Sequence, residues 1–277
     1  MSADDNGGGE PYFTDSADGT RLRIVRFGPA MPENGRDALV IHGLAEHAGR
    51  YAHVARALAA RNWRVSVVEL RGHGHSGGKR GHVMSWQEYV DDVSAAVKTI
   101  SPDYCIVAHS MGGLVTLESL RLGLKPRRVA LSNPLLGVRV QAPFVKEKAA
   151  HVLSRVWPTL SLTNELDPSM LSRDAAIGQA YAKDPLVYNT ITPRWYTEMR
   201  NAIARVVAAD YSAFAGRMRF HLSDTDPITD PPVSRALVAR TPGLDVKEYP
   251  GMLHEIFNEI GKEQAIADVA DFLEAGG

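Results

Sequence analysis

The sequence predicts an α/β fold: a mostly parallel sheet flanked by helices on both faces and interrupted by one long helical insertion. Three observations lead there. Short apolar runs alternate with amphipathic helical stripes along most of the 277 residues, which is how parallel strands buried on both faces read in sequence. The alternation fails from about Leu135 to about Ala215, where helix-like stretches are broken by Pro143, Pro158, Pro168, Pro185 and Pro193. Finally, a β-branched run at Cys105–Ala108 passes through a serine-glycine turn straight into a helical stripe.

Taken in order, residues 1–10 are acidic and glycine-rich, with one apolar side chain beyond the initiator Met. They predict a loose tail, because so little apolar surface cannot offset the entropy of ordering. Tyr12–Thr14 and Leu22–Phe27 flank Asp18-Gly19, the composition of an antiparallel hairpin. Strands follow at Ala38–His42, Val65–Leu70, Cys105–Ala108, Val129–Leu131, Met218–Leu222 and Leu244–Tyr249. Between them, Tyr51, Val54, Ala55, Leu58 and Ala59 recur on one helical face, as do Tyr89, Val93 and Val97. So do Leu114, Leu117, Leu120 and Leu124, and later Ile266, Val269, Ala270 and Leu273. Residues 11–134 and 216–277 are therefore expected to form the core. Residues 135–215 are expected to form a strandless helical cap over the sheet's C-terminal edge, where open α/β sheets bind ligands. Leu135, Leu136, Phe144, Val145, Val152, Leu153, Val156 and Trp157 give that cap an apolar stripe, available to line an acyl channel or to dock the cap on the core.

Composition narrows the function. A hydrophobic content of 44%, a charged content of 23% and a formal net charge of −1 describe a large globular unit with no footprint for nucleic acid or an anionic membrane. A small neutral or lipid-like partner fits better. A single cysteine excludes an internal disulfide, and the first residues lack the basic end and apolar stretch of a signal peptide, so a cytoplasmic location is expected. No H-E-x-x-H or comparable spacing is present, so neither a metal nor another cofactor is expected. His73, His75 and His82 share a loop with five glycines, which suits close backbone packing better than metal ligation.

The strand, turn and helix around Ala108-His-Ser110-Met-Gly112 are the context a nucleophile elbow requires. Small residues two before and two after the serine matter because the turn is strained and crowds backbone. A helix-capping serine is the plainer alternative. In an elbow, Ser110 is the nucleophile, and one oxyanion donor is the amide of the next residue, Met111. The second donor is expected at Leu44, after the strand ending in His42-Gly43, with the glycine permitting the turn. The base must follow in the order serine, acid, histidine. His254 follows the last strand through Pro250-Gly-Met-Leu. The acid is Asp226 or Asp224. Asp226 precedes Pro227 and is held extended, whereas Asp230 before Pro231-Pro232 is better placed as a helix N-cap.

The segments IHGLAEHAGRY, RGHGHSGGKRGHV, AHSMGGL, AYAKDPLVY and EYPGMLHEIFNE resemble the monoacylglycerol lipase and lysophospholipase family of α/β hydrolases, from about Ala38 to the end. The resemblance implies the α/β-hydrolase fold and a Ser110, His254, Asp226 triad with Leu44 and Met111 as oxyanion donors. It also implies a lid shaping an acyl tunnel and polar contacts from Glu46, Arg50 and Tyr181 to a glycerol-like alcohol. The chain departs from the family at Ala108, where the elbow usually has glycine, and at Ser223, where a glycine usually precedes the acid loop. The expected protein is thus a monomeric or weakly associated carboxylic ester hydrolase for single-chain acyl esters, with transient lipid-surface contact through the lid. A lysophospholipase or short-chain esterase with the same machinery is the nearest alternative. A hydrolase-fold binding protein would lack the ordered triad, and an aminopeptidase would need an acidic pocket for which Glu46 is the lone candidate.

Overall fold

The computed structural model describes residues 6–32, 35–139, 144–164 and 166–275. An antiparallel hairpin of β1 (Glu10–Asp15) and β2 (Arg21–Phe27) opens the chain. It is followed by β3 (Asp37–Ile41), β4 (Arg64–Val68), β5 (Tyr104–His109) and β6 (Val129–Ser132). Two short strands, β7 (Leu162–Thr163) and β8 (Thr190–Ile191), precede β9 (Met218–Ser223) and β10 (Asp245–Tyr249). The eight-stranded sheet runs β1-β2-β4-β3-β5-β6-β9-β10, antiparallel between β1, β2 and β4 and parallel from β4 onward. The helices are α1 (Ala52–Ala59), α2 (Gln87–Val97), α3 (Met111–Arg121), α4 (Phe144–Val156), α5 (Ala175–Lys183), α6 (Pro193–Ala208), α7 (Pro231–Arg240) and α8 (Lys262–Glu274). Among the described residues, no helix is long and apolar enough to cross a membrane.

The middles of β3 and β5 are apolar because alternate side chains enter two different cores. Leu39, Ile41, Ile106, Ala108 and Leu131 face Leu114 and Leu117 of α3 and Trp195, Met199 and Ala202 of α6. Ala38, Val40, Cys105, Val107 and Ala130 face Val54 and Leu58 of α1 and Val269 and Leu273 of α8. Each such aliphatic side chain contributes about 1.5–3 kcal/mol on full burial. A polar side chain at Leu39, Val40, Ile106 or Val107 would therefore be buried among apolar groups on either face.

Three expectations need correction. Residues 6–10 are tied to the fold rather than loose: Glu10 of β1 pairs with Arg26 of β2, the Arg23 guanidinium bonds Asn6, and Arg56 bonds the carbonyl of Gly7. Charged donors capture polar backbone that the apolar content alone would not order; residues 1–5 lie outside the described residues. Second, the stretch expected to be strandless contains β7 and β8, paired antiparallel. Two residues each are too few to show an alternating pattern. Third, α6 falls within the range expected for the cap, yet its Trp195, Met199, Ala202 and Val206 stripe is buried in the sheet core beside α3. Thr192 caps α6 by accepting from the Trp195 amide at 3.2 Å, and Pro193 starts it.

Candidate active site

The loops that follow β5, β6, β9 and β10 bring Ser110, Asn133, Asp226 and His254 to one region, beside the loop after β3. Ser110 follows β5 with φ 50° and ψ −116°, a conformation that costs a non-glycine residue about 1–3 kcal/mol unless its surroundings hold it. They do: the Ser110 amide donates to the Ser132 carbonyl at 3.0 Å, and its own carbonyl accepts from Gly113 and Leu114 at 2.9 and 3.2 Å. A Cβ on Gly112 would stand 2.5 Å from the carbonyl oxygens of Ile41 and His42, so only glycine fits there. Ala108 lies inside β5 opposite Ile41 and Leu131, with its methyl in the core and without positive φ. The departure from glycine is thereby accommodated. Ser223 likewise has no positive φ, and its hydroxyl donates to the Met252 carbonyl.

The structure brings Ser110, His254 and Asp226 together. Ser110 Oγ lies 3.0 Å from His254 Nε2, and His254 Nδ1 lies 2.7 Å from Asp226 Oδ2. Because an ionised carboxylate only accepts, Nδ1 carries the proton and Nε2 accepts from the serine. Asp226 Oδ1 also accepts from the amides of Ile228 and Thr229 at 2.8 and 3.1 Å, and Oδ2 accepts from the Thr229 hydroxyl at 2.6 Å. Burial opposes ionisation of Asp226, but His254 and these donors outweigh it and hold the carboxyl below its usual range. Burial likewise opposes charge on His254, and Asp226 overcomes it, raising the imidazole above its usual value. Asp224 is exposed and accepts from the Gly251 amide at 2.8 Å, away from this chain of bonds. Asp230 occupies the N-cap position of α7 but its side chain makes no capping bond. The next two residues are prolines, which have no N–H to offer.

The loop after β3 lies against the elbow. Gly43 does not have positive φ; Ala45 does, at 58°. What Gly43 supplies is room, because a Cβ there would come 2.7 Å from Glu46 Oε2 and 3.3 Å from Ser110 Cβ. Leu44 follows Gly43 in this loop, and Met111, the first residue of α3, follows Ser110 directly. Glu46 accepts three hydrogen bonds: its Oε2 from the Gly43 amide (2.6 Å) and Tyr51 hydroxyl (2.7 Å), and its Oε1 from Arg50 Nε (3.2 Å). Arg50 continues to Glu255 through Nη2, at 2.8 and 2.6 Å, and its guanidinium sits 4.9 Å from the Tyr181 ring centre. The Tyr181 hydroxyl is buried without a hydrogen-bond partner. The residues expected to contact an alcohol thus meet different circumstances: Tyr181 has a spare donor, while Glu46 and Arg50 are already paired with each other and with other protein groups.

Residues that the sequence reading passed over complete the site. Asn133, at φ 38° after β6, donates through Nδ2 to the His254 carbonyl (2.7 Å) and accepts at Oδ1 from the Ser223 amide (2.9 Å), clamping two strand ends. The Asn-Pro pair at a strand end was the available signal. His109 stacks obliquely on His254, ring centres 4.6 Å apart, and burial pushes it down to about 4, so it stays neutral. Among the loop histidines, His42 accepts from the Leu70 amide and donates to the Gly43 carbonyl, and His73 bonds the Arg71 carbonyl and the Tyr188 hydroxyl. Of the apolar cap stripe, Leu135 and Leu136 are buried, but Val152, Val156 and Trp157 are exposed at 62%, 78% and 58%. They therefore line no internal channel; the side chains of Phe144 and Val145 lie outside the described residues.

The family described as serine aminopeptidase, S33, matches residues 35–261. A monoacylglycerol lipase of Mycolicibacterium smegmatis is 32% identical over 243 residues, 85% of this chain and 86% of that protein. A phospholipase of Bacillus subtilis is 26% identical over 247 residues, covering 85% and 94%. The crystal structure of a Paleococcus ferrophilus monoacylglycerol lipase superposes with a TM-score of 0.80 at 30% identity, over 91% of this chain and 98% of that one. The chain spans only 26% of the length of another relative, an uncharacterized abhydrolase domain-containing protein of Dictyostelium discoideum, which is 29% identical over 85% of this chain.

Proposed function

Because this chain belongs to the S33 family of α/β hydrolases and is a serine hydrolase acting on esters, we propose that it cleaves monoacylglycerols or similar single-chain acyl esters through Ser110, His254 and Asp226. One observation carries this reading: the unbroken bond chain from Asp226 through His254 to a serine held at φ 50°. Ser110 Oγ attacks the ester carbonyl while His254 Nε2 takes its proton, and Asp226 fixes the imidazole tautomer. The amides of Leu44 and Met111 receive the oxyanion, and each such donor is typically worth about 2.7–4 kcal/mol in the transition state. His254 then protonates the leaving alcohol, and water, deprotonated by the same imidazole, releases the acid from Ser110.

The unpartnered Tyr181 hydroxyl beside Arg50 supports a site for a polar alcohol portion. Part of residues 135–215, α4 and α5 in particular, acts as a lid. The exposed Val152, Val156 and Trp157 support transient contact with a lipid surface, by a protein that works in the cytoplasm. An aminopeptidase is disfavoured, because the charge of Glu46 is already paired with Arg50 and its Oε2 is held by the Gly43 amide and the Tyr51 hydroxyl. The phospholipase relative favours lysophospholipids as a second substrate class. A turnover panel of monoacylglycerols, lysophospholipids and graded p-nitrophenyl esters tests the reading, with fluorophosphonate labelling and Ser110→Ala as controls. Removing the nucleophile should lower kcat by about a million-fold. Turnover that survives in Ser110→Ala sinks the mechanism.

A further inference from the structure

Glu255 follows His254 directly, is buried, and has no task in the reaction as proposed. Its amide donates to the Leu171 carbonyl at 2.8 Å, and its Oε2 accepts from Asn258 Nδ2 at 2.9 Å. Arg50 Nη2 reaches both of its carboxylate oxygens, while Arg50 Nε reaches Glu46, which in turn holds the Gly43 amide. A line of buried polar contacts therefore runs from the residue after His254 to the residue before Leu44, crossing 205 residues of sequence at its Arg50–Glu255 step.

We propose that Glu255 is a positioning residue which, through Arg50 and Glu46, sets the Gly43–Leu44 backbone relative to the His254 imidazole. The inference rests on His254 as base and Leu44 as oxyanion donor. Its physical basis is the composition of the cluster. Two carboxylates share one guanidinium away from water, an arrangement often no more stabilising than an apolar replacement. What it does supply is directional rigidity, and the loop needs it: Ala45 is left-handed at φ 58°, and Gly43 is wedged between Glu46 and Ser110. A displacement of about 1 Å in a donor lining the reacting carbonyl can cost a hundredfold in rate.

The cluster also titrates. Burial, aided by Glu46 and opposed by Arg50 and His254, pushes the Glu255 carboxyl up to about 7. Facing it are Arg50, Glu46 and Tyr51 from the segment entering α1, Tyr181 with Asp184 behind it from α5, and His254 and Asn258 from its own loop. Beyond Glu46 lies His109, which is neutral above its own low value. An ionised Glu255 favours the protonated form of His254, so neutralising it should ease deprotonation of the base.

Glu255→Ala and Glu255→Gln, in the full chain and with a soluble p-nitrophenyl ester, test this. Glu255→Ala should lower kcat by about tenfold to a hundredfold while KM moves little, because alignment rather than ground-state binding is lost. Glu255→Gln, which keeps an acceptor for Arg50, should recover most of that rate, and its acid limb of kcat/KM should move to lower pH by about half a unit or more. If Glu255→Ala does not fold, the Glu255→Gln pH profile decides alone. An unmoved acid limb, a loss confined to KM, or a folded Glu255→Ala enzyme with kcat within about twofold of the parent overturns the positioning role. Turnover surviving in Ser110→Ala instead overturns the reaction on which it rests.

Discussion

The hydroxyl of Thr229 and the imidazole of His254 meet on the same oxygen of Asp226, at 2.6 and 2.7 Å. The carboxylate is thus oriented by a residue that never approaches the ester. Thr229→Val keeps the shape and removes the donor. A hydrogen bond to a buried charge is worth about 1.5–3 kcal/mol, and that much stability should be lost in a urea titration. The amides of Ile228 and Thr229 still hold Oδ1, so kcat should suffer far less than from loss of Asp226 itself.

Asp226→Asn should lower kcat by about four orders of magnitude, because the amide can offer its N–H to Nδ1 and so select the wrong tautomer. Asp224→Asn, at an exposed side chain that only accepts from Gly251, should change it by less than about tenfold. Steady-state kinetics on the two variants separate the assignments, and a crippled Asp224→Asn enzyme would move the acid to Asp224.

The pH profile follows from the signs. His254 must be neutral to accept the serine proton, and its value is raised by Asp226, so kcat/KM should fall on the acid side with a midpoint above 6.5. Asp226 behaves oppositely in stability. Its carboxyl is lower in the folded state than its ordinary 3.8, so protons favour the unfolded chain. Its contribution is complete above that value and is lost as pH falls through the lower folded one. Urea midpoints measured from neutral pH down to strongly acid pH read this directly.

Val156→Asp and Trp157→Gln change exposed apolar groups at the end of α4. Hydrolysis of a soluble p-nitrophenyl ester should stay within about twofold, whereas hydrolysis of lipid presented in vesicles should drop severalfold as buried apolar contact is lost. Equal effects on both substrates would remove α4 from any role at a lipid surface.

The strands were legible because Ala38–Ile41 and Tyr104–Ala108 are apolar on both faces, as strands covered on both sides must be, and are short enough for strands. Ser110 was legible because the elbow needs small neighbours at fixed offsets. Glu255 was not: its partner Arg50 lies 205 residues away, and a carboxylate beside a histidine carries no local sign of what it binds. The bonds of Glu46 were hidden differently, since an acidic residue near a helix start reads the same whether it faces solvent, ligand or the Gly43 amide, which it holds here. For α6 the amphipathic stripe was real, but periodicity reports that a face is buried, not against which surface. β7 and β8 were invisible because two-residue strands are set by the partner they meet.

Ser110, Asp226 and His254 occur in that order, and the bond that activates the serine spans 144 residues. During synthesis the elbow can therefore form early, on β3, β5 and α3, while its histidine is still untranslated. A nascent or truncated chain carries a serine that is an ordinary alcohol, harmless to the lipids and thioesters around a ribosome. On the proposed mechanism reactivity arrives only when β10 docks on β9 and brings His254 to Ser110, so the appearance of a covalently trappable serine should mark completion of folding.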